Sequence, residues 1–417
     1  MRMTAAPMVA HCLTLLIYSL RPKIVICIGS KGSRFKQLVK GGDDLRQDAI
    51  MQQVFETVND LLKNEGSSGN EFIKKSLSSR QLKLITYGIT PLSPASGVLE
   101  WVDDTMCFGD FLTDRGKYVG AHSKYFPGEW GNSDVRDFFR NAGDEPNATR
   151  ESKRKAFEKI CANFSPGNYY VCFYLTPFSD TLTSRLKLLA LKAFRFFFLE
   201  YFKSSMEAWH TARTLYTRSC AVNSIVGHIL GIGDRHTSNI LVHTKTGEVV
   251  HIDFGIVFEQ GKTLQTPELV PFRLTRDIVD GMGPSGTDGV FSKAAEATMG
   301  VLRNNADTLL IILSAVVSDP LYKWCLNPLK ANQHQRNDDK DDSRKALPSV
   351  RMSSTADENR NDAADQAISK IHEKLEGYED GTSGEHKTVA GQVKLLINEA
   401  RDLGNLSVMF AGWAPWM

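Results

Sequence analysis

Residues 233–255 read Gly-Asp-Arg-His-Thr-Ser-Asn-Ile-Leu-Val-His-Thr-Lys-Thr-Gly-Glu-Val-Val-His-Ile-Asp-Phe-Gly, and no other stretch restricts the fold as tightly. Two short β-like runs, 240–243 and 248–252, flank a Thr246-Gly247 turn. That pattern predicts a hairpin. A hairpin brings its open ends together, so Asn239 is expected beside Asp253. A carboxamide and a carboxylate side by side are two oxygen donors, which suit a Mg²⁺ ion that also holds phosphates. Upstream, Asp234 sits in a tight Gly-Asp-Arg-His turn, where a carboxylate can accept the proton of an attacking hydroxyl.

Each piece alone is weak. Asp-Phe-Gly marks many strands that end in a turn, and Asp-Arg-His can be a surface ion-pair cluster. Together at hairpin spacing, with Asn239 between them, they form a phosphoryl-transfer constellation. Residues 24–40 read as strand, Gly29-Ser30-Lys31-Gly32-Ser33 turn, strand. The turn's backbone N–H groups can cover phosphates, so Ser30, Lys31 and Gly32 are candidate nucleotide contacts. Lys40 ends the second strand, where its ammonium can reach the α- or β-phosphate. Asp43 to Asp48 then opens a run with apolar Ile50, Met51, Val54, Phe55, Val58, Leu61 and Leu62 at helical spacing. Acidic residues in the first turn suit the helix dipole. Asp48 is the expected partner of Lys40, a solvated acidic cap being the alternative. Residues 82–89 and 98–102 read as two strands leading into Glu100-Trp101-Val102. That segment is expected to link two lobes, with Trp101 stacked on adenine, or else packed as an ordinary core residue.

These motifs recur together in a known family. Lys-Gly-Gly-Asp-Asp-Leu-Arg-Gln-Asp at 40–48, Gly-Asp-Arg-His-x-x-Asn at 233–239 and Val-Pro-Phe-Arg-Leu-Thr-Arg-Asp at 270–277 resemble the phosphatidylinositol-3-kinase-related protein kinases. The ending, Gly391-Gln-Val-x-x-Leu-Ile with Trp413 and Trp416, looks like the C-terminal FATC segment of that family. The order Asp-Arg-His also departs from the His-Arg-Asp of ordinary protein kinases. The resemblance implies an α+β, bilobal fold with a small β-rich N-lobe, a larger helical C-lobe and a C-terminal FATC helix. It implies a Ser/Thr protein kinase using ATP with Mg²⁺ or Mn²⁺, acting on Ser/Thr-Gln sites of protein substrates in nuclear DNA-damage signalling. The implied roles are Asp234 as base, His236 on the transferring phosphate, Lys40 on the nucleotide phosphates with Asp48 orienting it, and Asn239 with Asp253 on the metal. A phosphoinositide lipid kinase is the alternative, but its basic cluster after Asp-Phe-Gly is missing, since residues 256–272 hold only Lys262 as a basic residue. An inactive scaffold is the other alternative, although every catalytic residue type is present.

The expected organisation is an unassigned 1–20, N-lobe 21–100, C-lobe 101–330, polar linker 331–384 and FATC 385–417. Residues 167–193 read as an insertion, because the flanks at 164–166 and 194–197 match the family on either side. Residues 8–20 are apolar but too short to span a bilayer, which needs about 20 such residues. A secretory signal is less expected there than a buried strand or helix, or a spurious start. The net charge of +2 predicts no generic attraction to DNA or membrane. Seven scattered cysteines, with no Cys-x-x-Cys pair, favour a reducing compartment. The resemblance implies DNA-damage sensor complexes as partners through regions absent here, and a homodimer in the full-length form.

Overall fold

The computed structural model describes residues 22–65, 81–144, 149–163, 193–317, 358–379 and 384–417. Strands β1 (Lys23–Ile28) and β2 (Arg34–Gly41) form the hairpin read from 24–40, with Gly32 at φ 75° in its turn. Helix α1 (Arg46–Glu65) follows, and it buries Met51, Val54, Phe55, Val58 and Leu62, the stripe its spacing dictates. Strands β3 (Ile89–Ser93) and β4 (Ser96–Glu100) complete an antiparallel sheet in the order β1-β2-β4-β3.

The expected strand at 82–89 is a difference, because only Ile89 of it pairs. Side chains of α1 satisfy this backbone instead. Asn59 Nδ2 donates to the Leu84 carbonyl at 2.9 Å, the Leu84 N–H donates to Asn59 Oδ1 at 2.7 Å, and the Tyr87 N–H donates to Gln52 Oε1 at 3.0 Å. A polar helix face thus replaces a neighbouring strand.

The second lobe is helical around one small sheet, β5 (Thr105–Cys107), β6 (Ile240–His243) and β7 (Val249–His251), in that order. Gly247 at φ 79° makes the β6–β7 turn, and a Cβ there would lie 2.7 Å from the Ala212 carbonyl. Helix α2 (Met206–Ile229) runs through the centre, buried almost continuously from Tyr216 onward, and packs on α3 (Val290–Asn304). Phe194, Phe197 and Phe198 stack and cross beside it.

Residues 167–192 of the expected insertion, and 1–20, lie outside the described residues. Ala193, placed inside that insertion, is fully buried, and its N–H donates to Asp277 Oδ1 at 2.9 Å. The linker expectation also needs correction. Within 331–384, helix α4 (Glu358–Glu376) packs Ala367, Ile371 and Leu375 into the core. Those residues repeat at helical spacing, a signal masked by the polar residues between them. Helix α5 (Val389–Arg401) carries the C-terminal segment, which ends with Trp413 and Trp416 buried.

Candidate active site

A cleft of about 990 Å³ opens between the lobes, and its walls include Lys40, Glu100, Trp101, Asn239 and Asp253. β2 delivers Lys40, the end of β4 delivers Glu100 and the link after it Trp101, and the β6–β7 hairpin delivers the last two. Ile240 pairs with His251, and the Ile252 N–H donates to the Asn239 carbonyl at 3.1 Å. The hairpin ends therefore meet where the spacing placed them. The Ser30-Lys31-Gly32 turn is exposed, and none of its three residues lines the cleft.

Both catalytic-type aspartates adopt a left-handed backbone, Asp234 at φ 54° and Asp253 at φ 62°. That conformation costs a non-glycine residue about 1–3 kcal/mol unless its surroundings enforce it. Here they do. The Asp234 N–H donates to Glu268 Oε1 at 2.8 Å, and its carbonyl accepts from Asn239 Nδ2 at 3.0 Å. Asn239 therefore commits its amide nitrogen and keeps Oδ1 as its acceptor. The buried Arg235 joins the two aspartates by donating to the Gly233 and Ile252 carbonyls, each at 2.8 Å, and to the Asp253 carbonyl. His236 Nδ1 accepts from the Ser238 N–H at 3.1 Å, leaving Nε2 4.0 Å from Asp234 Oδ2.

Lys40 pairs with Asp43 at 3.5 Å. The expected Lys40–Asp48 pair does not form as a direct contact. Asp48 is buried and accepts from the Phe254 N–H at 3.0 Å. Burial, then the charge of Asp253, pushes the Asp48 carboxyl up to about 7. For Lys40, burial opposes the charge, yet Asp253, Asp43 and Asp48 together hold its pKa above the usual lysine value. Lys40 thus lies among three carboxylates, those of Asp43, Asp48 and Asp253.

A family model described as phosphatidylinositol 3- and 4-kinase matches residues 34–326, and a FATC domain model matches 387–417. The chain belongs to the phosphatidylinositol 3- and 4-kinase family. It is 42% identical over 95% of its length to the serine/threonine-protein kinase ATM of Arabidopsis thaliana, and 41% identical over 95% to the serine-protein kinase ATM of Sus scrofa. It spans 9% and 12% of those two proteins. The open conformation of CtTel1 superposes with a TM-score of 0.73 and 36% identity, covering 95% of this chain and 12% of that one. The bilobal kinase fold with a C-terminal FATC helix is therefore established.

Within this family frame, several residues that support the site carry no functional signal in the sequence. Arg235 stands there only as the middle of Asp-Arg-His and Gln47 only as a member of the 40–48 motif, and nothing local assigns a role to Tyr87, which lines the cleft, or to Glu268. Arg273 and Arg276 stand only as members of the 270–277 motif, which the structure shows to be a clamp on the C-terminal tail. Buried Arg273 donates to the carbonyls of Trp413, Ala414 (2.9 Å) and Met417 (3.2 Å), and to that of Arg235 (3.3 Å). Its guanidinium lies 4.3 Å from the Trp413 ring centroid. Arg276 Nη2 donates to the Trp416 carbonyl at 2.7 Å. The tail is thus tied to the Asp-Arg-His loop through one side chain.

Proposed function

We propose that this chain is an ATP-dependent protein kinase domain that phosphorylates serine and threonine hydroxyls, with a preference for glutamine as the next residue. The observation that carries the reading is the pair of left-handed aspartates, Asp234 held by Asn239 and Asp253 held by Arg235, with Asn239 and Asp253 in the wall of a cleft that also holds Lys40. Lys40 would hold the α- or β-phosphate of a bound nucleotide, and Glu100 and Trp101 would border its adenine. Asp234 takes the proton of the substrate hydroxyl. His236, with Nε2 directed toward that carboxylate, lies on the phosphoryl side. The Asn239 carboxamide oxygen and the Asp253 carboxylate are hard oxygen donors and fit a divalent cation such as Mg²⁺. When bound, such a cation neutralises charge on the β- and γ-phosphates.

The relatives' names, serine/threonine-protein kinase ATM and serine-protein kinase ATM, support a protein substrate, and the family resemblance adds a nuclear role in DNA-damage signalling to this proposal. One solved relative is a complete CtTel1 dimer with C2 symmetry, which supports a dimer for the longer protein. The test is phosphate transfer from ATP to paired peptides differing only in Ser-Gln versus Ser-Ala, alongside phosphatidylinositol vesicles. Faster transfer to Ser-Gln is expected. Transfer to the vesicles alone would replace this reading with a lipid kinase, and equal rates on both peptides would remove the glutamine preference.

A further inference from the structure

Glu268 lies in none of the motifs that mark the site. It comes from the Thr266-Pro267-Glu268 turn, well beyond Asp-Phe-Gly in sequence. The chain folds this turn back under the Asp-Arg-His loop, where the Glu268 N–H donates to the Gly261 carbonyl at 3.0 Å. The carboxylate is then enclosed between two glycines. A Cβ on Gly233 would lie 2.7 Å from Oε2, and one on Gly261 would lie 2.5 Å from it. Neither position has room for any other residue while Glu268 stays in place. The second oxygen, Oε1, accepts from the Asp234 N–H at 2.8 Å.

We propose that Glu268 is a positioning residue for phosphoryl transfer: its carboxylate holds the Asp234 backbone in the left-handed conformation that aims the base at the substrate hydroxyl. The proposal rests on the kinase reading above. The Asp234 carbonyl is already fixed by Asn239, so the loop is gripped from both sides of one residue. Without Glu268, the Asp234 N–H loses its acceptor and the residue can relax toward an ordinary conformation, turning its side chain. A shift of about 1 Å in a catalytic group can cost on the order of 10²-fold in rate. Burial and the nearby Asp234 charge push the Glu268 carboxyl up to about 7, against the opposite pull of the hydrogen bond from the Asp234 N–H. Nucleotide binding relies on other residues, because Glu268 is not part of the cleft wall.

The test compares Glu268→Ala and Glu268→Gln in the full chain. Glutamine keeps an oxygen that can accept from the Asp234 N–H; alanine does not. Glu268→Ala is expected to lower kcat on a Ser-Gln peptide by about 10²-fold with KM for ATP little changed. Glu268→Gln should restore most of the loss. Hydrogen–deuterium exchange of the peptide holding Asp234 gives a readout independent of activity. Exchange there should quicken by about tenfold in the alanine variant, the effect of losing one hydrogen bond, and return with glutamine. Equal kcat in all three proteins, or a glutamine variant as impaired as alanine, would overturn the proposal. So would unchanged exchange at Asp234. An alanine variant that melts early while glutamine rescues both exchange and kcat supports it, whereas rescue of melting alone overturns it. A wild-type chain without phosphotransfer, its exchange pattern intact, would instead sink the kinase reading and with it any catalytic consequence of Glu268.

Discussion

Asp48 accepts a hydrogen bond from the Phe254 N–H at 3.0 Å, while neighbouring Gln47 donates to the Phe254 carbonyl at 2.6 Å. The first turn of α1 therefore holds both polar groups of the residue that follows Asp253. Phe254 itself is fully buried and meets Phe55 of the same helix edge-on at 5.2 Å. One N-lobe helix thus sets the position of a C-lobe metal-type ligand. Asp48→Ala should leave the buried Phe254 N–H unpaired and destabilise the chain by roughly 1–3 kcal/mol. Urea denaturation should show that loss together with a raised KM for ATP. An alanine variant with wild-type values of both would separate the two lobes energetically.

Asp234→Asn keeps the side-chain shape and the tolerance for a left-handed backbone, yet removes the base. The expected result is a loss of kcat in the range of about 10²–10⁴ with melting temperature within a few degrees of wild type. Steady-state kinetics beside calorimetry checks both halves, and wild-type turnover would remove Asp234 from the mechanism.

His122 is buried between Glu129, 2.7 Å from Nδ1, and Asp277, 3.0 Å from Nε2. Burial opposes its charge, but Asp277 and Glu129 outweigh that and raise its pKa from 6.5 to about 9. The folded state thus holds the proton more tightly than the unfolded chain. The stabilisation is fully present below pH about 6.5 and is lost as pH rises through about 9, on the order of 3 kcal/mol in all. His122→Asn should flatten that decline. Unfolding free energies of both proteins at pH 6 and pH 9 give the comparison; parallel curves would show that this cluster does not govern the slope.

Trp416 packs against Phe139 with ring centroids 5.4 Å apart and is almost wholly buried. Trp416→Ala should cost about 3–5 kcal/mol, the range for deleting a buried aromatic. Because Arg273 couples the tail to the Arg235 carbonyl, kcat should fall as well. A stable, fully active alanine variant would show that the tail's packing is separable from the site.

Legibility in the sequence depends on whether the controlling interactions are local. The β6–β7 hairpin and the meeting of Asn239 with Asp253 follow from strand periodicity and one glycine turn. The α1 stripe from Ile50 to Leu62, and the need to bury Trp413 and Trp416, also follow from local rules. What the sequence alone does not show lies in contacts between distant segments. Its place on the helix after β2 makes Asp48 the expected partner of Lys40, but Phe254, more than 200 residues away, takes the Asp48 carboxylate and leaves Lys40 to Asp43. The backbone of Leu84 and Tyr87 has the pattern of a strand, and only the side chains of Asn59 and Gln52 decide otherwise. Helix α4 hides within a polar stretch because its buried stripe is narrow. Glu268 and Arg273 gain their roles from the loop and tail folded against them. Periodicity and turn chemistry act over a few residues and can be read directly, whereas a buried hydrogen bond between remote groups exists only once the chain has closed around it.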